Sequence, residues 1–158
     1  MIVVADSSPL ISLARIGRLD LLESLFERVV VPRAVWSEVV FDGAQRVGAL
    51  DLPSANWIEV RTVDPASPIL QMAQRTLHRG EAEAISLAFD QRPSLLLIDE
   101  QIGRAVARDL GLAITGIIGV LIAVKERGLD RDPVGLARQM QRKGVWISES
   151  LIELLEQV

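Results

Sequence analysis

The chain has no cysteine and a single histidine, His78. Without cysteine there can be no disulfide, no thiolate nucleophile and no cysteine zinc site. One histidine excludes a histidine-rich metal centre. Any metal would have to be held by carboxylates, a donor set that suits Mg²⁺ or Mn²⁺ better than Zn²⁺. Aromatic residues make up only 4% of the sequence, which argues against extensive base stacking on a nucleic acid. No apolar run approaches the length of a membrane span, and the N-terminus lacks the basic, apolar, small-residue order of a signal peptide. The expectation is a soluble, cytoplasmic protein without a membrane partner. A net charge of −4 rules out a general basic coat for nucleic acid and leaves a local basic groove open.

What is present is apolar content, at 49% of 158 residues. That suits one domain spanning 1–158 in which helices cover a sheet. The first ten residues organise the rest. Ile2 to Ala5 is a short β-branched run that reads as a strand buried on both faces, and Asp6 follows at once. Ser8-Pro9 then opens a helix, with a hydroxyl able to cap it and a proline suited to its first turn. An acid at the carboxyl end of a buried parallel strand lies where open α/β sheets keep their ligand crevice. Asp6 reads equally as a helix cap.

Further strands are expected at 28–31, 57–60, 94–98 and 111–115. Helices are expected over 10–16, 19–26, 33–41, 80–90, 102–110, 117–126, 131–143 and 148–157, with another ending near Leu77. Residues 43–56, including the turn residues Pro53 and Ser54, read as looser. Strands alternating with helices predict a parallel sheet with helices on both faces.

On that sheet Asp99, directly after the apolar 94–98 run, would share an edge with Asp6; its competing role is to cap the next helix. Helical phase separates the acids of 80–90. Glu83 falls with Ser86 and Asp90 on a side expected to face solvent, and Glu81 with Ala84, Ile85 and Ala88 on the apolar side. An ionised carboxylate aimed into a core is costly unless paired or bound to metal, although Glu81 also suits the first helical turn. Glu38 lies roughly opposite Arg33 and Ser37 on its own helix. Glu100 stands four before Arg104, itself four before Arg108, which reads as a surface charge ladder. Four acids at one edge repel one another, and a divalent cation relieves the repulsion. One or two Mg²⁺ ions so held activate water and stabilise a pentavalent phosphate, with no covalent nucleophile needed. Ser7 or Ser8 could orient the attacking water, with Glu83 and Glu100 as further outer residues. Arg75, His78 and Arg79 suggest part of a path for RNA; the group Arg131, Arg138, Arg142 and Lys143 reads as a solvated face.

These residues carry a resemblance. Asp6-Ser7-Ser8-Pro9-Leu10-Ile11, Pro32 followed by Glu38, Gly80-Glu81-Ala82-Glu83-Ala84-Ile85, Leu97-Ile98-Asp99-Glu100 and Thr115-Gly116-Ile117-Ile118-Gly119-Val120-Leu121 look like the PIN-domain superfamily. More narrowly, they resemble the DUF3368 group of prokaryotic PIN-like proteins. The resemblance implies a three-layer α/β/α domain with a central parallel sheet, an acidic pocket for Mg²⁺ or Mn²⁺, and endoribonuclease activity. It brings in the toxin of type II toxin–antitoxin pairs, hence an RNA substrate and a small antitoxin partner. By residue match, Asp6, Glu38, Glu81 and Asp99 take the catalytic and metal-binding roles. The chain departs from many PIN nucleases in having Glu81 rather than Asp, and Glu100 where relatives carry a basic or polar residue.

The alternatives are a small-molecule phosphohydrolase with a closed pocket, and a catalytically silent PIN-like module binding RNA or a protein. Residues 117–124 and Leu151, Ile152, Leu154 and Leu155 supply enough apolar surface for a homodimer or an antitoxin interface. Packing on the chain's own core would use the same side chains.

Overall fold

The computed structural model describes residues 1–44 and 55–158. Most of the stretch expected to be loose, Pro53 and Ser54 included, lies outside the described residues. In chain order the elements are β1 (Ile2–Ala5), α1 (Ser7–Arg15), α2 (Asp20–Phe26), β2 (Val29–Pro32), α3 (Arg33–Ala44), β3 (Ile58–Arg61), α4 (Pro68–Ala73), α5 (Arg79–Asp90), β4 (Ser94–Leu97), α6 (Gln101–Asp109), β5 (Ala113–Thr115), α7 (Ile117–Glu126), α8 (Pro133–Arg142) and α9 (Glu149–Glu156). The sheet is wholly parallel, in the order β3-β2-β1-β4-β5. Short apolar strands need both faces covered, and helices pack on each side to give an α/β/α sandwich.

The strand order fixes where a ligand can enter. From β1 the chain winds outward through β2 and β3, then returns to lay β4 on the other side of β1. Right-handed crossovers place α4, α5 and α6 on the face opposite α1 and α2. Between β1 and β4 the winding reverses, so their carboxyl ends flank an open crevice rather than a crossover. Ala5 pairs in register with Leu97, and the Asp6 N–H donates to the Leu97 carbonyl at 2.9 Å. Asp6 and the segment leading to Asp99 are thereby fixed side by side at the crevice.

The core is aliphatic. Val4, Ala5, Val29, Val31, Leu96, Leu97 and Ile98 fill the sheet, and Ala84, Ile85 and Ala88 of α5 pack on it. In α7, Ile117, Ile118, Val120, Leu121 and Val124 are buried, against α8 and α9 among others. The chain's own core therefore takes up most of the apolar surface that suggested an interface. Ile152 and Leu155 are buried as well, while Leu151 and Leu154 are exposed.

Candidate metal centre

Helix α1 begins one residue earlier than Ser8-Pro9 suggested, with Asp6 at the cap position in extended backbone. Neither Asp6 nor Ser8 caps it: the Asp6 side chain makes no capping hydrogen bond. Its carboxylate is buried, at 1% exposure, and Oδ1 has no hydrogen-bond partner. Burial pushes the Asp6 carboxyl up to about 7; the Ser7 N–H opposes it, and repulsion from Glu81, Glu38 and Asp99 adds smaller upward pushes. The three other expected acids thus all bear on Asp6 at the carboxyl edge of the sheet.

Each of the other three is set by a different local device. Asp99 follows Ile98 and is not the cap of α6; Glu100 is, accepting the Gly103 N–H at 2.7 Å. Asp99 instead accepts the N–H of Ile117, the first residue of α7, at 2.8 Å. Burial raises its carboxyl despite that bond and the nearby Arg104 guanidinium. Glu81 is half-buried in the first turn of α5, with Oε2 buried and without a partner. Burial raises it most, then the Glu100 carboxylate through charge and a hydrogen bond between the two side chains; His78 opposes this and Glu38 adds the least.

Glu38 is exposed, not turned inward as expected. The inner positions of α3 are Val35 and Val39, and a helix apolar almost all round gave phase nothing to work with. Because α3 starts at the carboxyl edge of the sheet, the exposed Glu38 leans on the start of α5. A β-carbon at Gly80 would collide with Glu38 Oε1. Gly103 and Gly116 make room in the same way. A β-carbon on Gly103 would lie 2.7 Å from Ile98 Cδ1 and 3.2 Å from Glu81 Oε2, and one on Gly116 would lie 2.5 Å from Asp99 Oδ1.

Two further sequence expectations fail for physical reasons. Glu83 is not a solvated acid: at 5% exposure it accepts Arg79 Nε at 2.8 Å, with the Ala34 N–H at 3.5 Å. Helix α5 lies against β1, β2 and β4 and is covered by α3, α4 and α6, so it has almost no wet side for phase to find. The ladder from Glu100 through Arg104 does not form either, because Glu100 caps α6 and Arg104 Nη1 donates to the Ile98 carbonyl at 2.7 Å. Arg104 is the site residue that the sequence hid. Its i+4 spacing from Glu100 pointed to solvent, whereas the reach back to Ile98 sets its charge beside Asp99. Of the second basic group, Arg138 pairs with Glu149 at 2.7 Å across an exposed surface.

The carboxylates converge electrostatically, yet among the described residues no three acid or histidine side chains stand ready to share one metal ion. The donor set nevertheless fits a hard divalent cation, since it offers only oxygen, with Asp6 Oδ1 and Glu81 Oε2 buried and unsatisfied. The chain matches the model of the DUF3368 family, a PIN domain, over residues 2–157, and belongs to that family. No curated protein and no solved structure matches it. The family carries the PIN fold; the chemistry of this particular member rests on its own side chains.

Proposed function

We propose that the crevice between β1 and β4 binds Mg²⁺ or Mn²⁺ and serves hydrolysis of RNA phosphodiester bonds. The observation that carries this reading is the pair of buried, unpartnered carboxylate oxygens, Asp6 Oδ1 and Glu81 Oε2, beside further acids that repel Asp6. An unsatisfied buried charge is costly unless a proton or a cation compensates it. Asp6, Glu81, Asp99 and Glu38 would hold the cation, with Ser7, Ser8 and Glu100 around them. When bound, the cation supplies Lewis-acid activation of water and neutralises charge on a phosphate. Without it, Asp6 keeps a proton over part of its population near neutral pH. Arg104 steadies Asp99, and Arg33 and Arg79 line a cleft of about 430 Å³ beside Glu38 where an RNA backbone can lie. By family analogy, the expected setting is a toxin restrained by a small antitoxin protein.

A second reading is a PIN-like module that binds RNA or a protein without cutting. The absence of three acids poised around one point, among the described residues, favours it, and the side chains as they stand fit it more directly. The first reading is preferred on the cost of leaving Asp6 and Glu81 uncompensated. A Mn²⁺ titration followed by thermal melting, with cleavage of single-stranded RNA measured alongside, separates the two. Wild-type protein is expected to gain melting temperature with Mn²⁺ and to cut RNA until EDTA is added, while Asp99→Asn does neither. Equal shifts in both proteins would place the metal elsewhere. No shift and no cleavage would establish the silent module.

A further inference from the structure

Asp99 also lines a second cleft, of about 380 Å³, to which Glu38 does not contribute. One wall is a stripe of α1, in which Ser8, Ser12 and Arg15 recur at helical spacing. Asp99 and Trp146 also line it, and the rest of the lining is apolar, with Ile117, Val145, Ile147 and Leu151. Trp146 is 85% exposed, the most exposed aromatic side chain of a chain that has only six. Its exposure does not come from a loose backbone. The Val145 N–H donates to the Met140 carbonyl at 3.0 Å, and Gln141 Nε2 donates to the Ile147 carbonyl at 2.9 Å. Ile147 is itself buried. Both neighbours are pinned, and the indole between them stands exposed at the cleft. The other two tryptophans, Trp36 and Trp57, pack against the core.

We propose that this cleft is a base-binding subsite, in which one unpaired nucleobase of an RNA strand stacks on Trp146 while its backbone leads past Asp99. The inference rests on the reading of the acidic crevice as an RNA-cutting site. The shared residue Asp99 joins the two spaces, so a strand threaded through the crevice brings a neighbouring base to the indole. An aromatic face with hydroxyls and a guanidinium along one wall suits a flat heterocycle with polar edges. The Arg15 guanidinium is held by Asp42 at 2.8 Å, so it presents an edge and not a free charge. A single exposed tryptophan also fits a chain too poor in aromatics for extended stacking.

The test compares two oligoribonucleotides of equal length, one bearing uracil and one abasic, with Ca²⁺ replacing Mg²⁺ to hold back cleavage. Uracil RNA is expected to quench the tryptophan emission of wild type but not that of Trp146→Ala, and the abasic strand to leave both unchanged. Trp146→Ala should weaken uracil RNA about tenfold, and Trp146→Phe should recover most of the loss. The abasic strand should bind all three proteins alike, and the Mn²⁺-linked rise in melting temperature should be the same in all three. Equal affinity of wild type and Trp146→Ala for uracil RNA overturns the subsite while leaving the metal-dependent reading intact. So does a change in sedimentation on Trp146→Ala with RNA affinity unmoved, which assigns the cleft to a protein interface. Failure of wild type to bind uracil RNA at all overturns the subsite too; loss of the Mn²⁺-linked shift in wild type counts separately, against the metal reading.

Discussion

At the scale of single residues, the acids divide by what burial does to them. Asp6 sits at the point where burial and, more weakly, three neighbouring carboxylates act together, and its ionised form is disfavoured in the folded chain. Asp6→Asn is therefore expected to abolish Mn²⁺-dependent cleavage and, in EDTA at pH 8, to raise the melting temperature by several degrees. A circular-dichroism melt and an RNA gel are enough to check both. Glu81 and Glu83, two residues apart, are expected to fail differently. Glu81→Gln should remove activity with little loss of stability, since its buried oxygen lacks a partner. Glu83→Ala should cost about 2 kcal/mol in denaturant unfolding, because it deletes a buried acid that accepts from Arg79 and links α5 to the start of α3. Equal destabilisation by the two would mean that Glu81 is as firmly tied as Glu83.

At the scale of elements, the glycines of α5, α6 and the turn before α7 give the acids their space. Gly80→Ala places a methyl where Glu38 Oε1 now rests. The obstacle is the end of a flexible side chain, and alanine is the better helix former, so stability should hold or rise slightly. The Mn²⁺-linked shift should fall as Glu38 is displaced; an unchanged titration would show that Glu38 takes no part. The elements also mark the limit of what the sequence disclosed. Strand runs such as Ile2–Ala5 and Ser94–Leu97 were legible because a strand buried on both faces is a continuous apolar run. Asp6 and Asp99 were legible because each closes such a run. Helix α5 was misread in part because amphipathic phase presumes one wet side, and a helix lying across three strands under three other helices has almost none. Arg104 and the inward pairing of Glu83 depend on which elements meet in space, a fact that local spacing does not carry.

At the scale of the whole molecule, the acidic edge sets how stability depends on pH. The Asp6 carboxyl is raised in the folded state from 3.8 to about 7, and those of Asp99 and Glu81 move the same way. A raised carboxyl binds more protons folded than unfolded, so stability is greatest while the group is protonated and falls as pH climbs through its folded value. In EDTA the melting temperature should decline between about pH 4 and pH 7 and flatten above; Asp6→Asn should shrink the decline. A melting temperature that rises across this window would refute the assignment. The surface acids Glu59 and Asp130, both partly buried, and the exposed Glu149 are lowered by their arginine partners and hydrogen bonds and act in the opposite sense below this range, screened in part by solvent.

The pairing of β1 with β4 also has a consequence in time. Ile2 must find Ser94 across most of the intervening chain, a closure far slower than the local winding of β1 into β2 and β3. If that pairing completes after the transition state, Asp6 meets Asp99 and Glu81 on the downhill side of the folding barrier. Relief of their repulsion by Asp6→Asn should then slow unfolding and leave the refolding rate nearly unchanged in stopped-flow kinetics. A faster refolding limb would show instead that β1 and β4 pair early, and that the chain gathers its acids before it has finished folding.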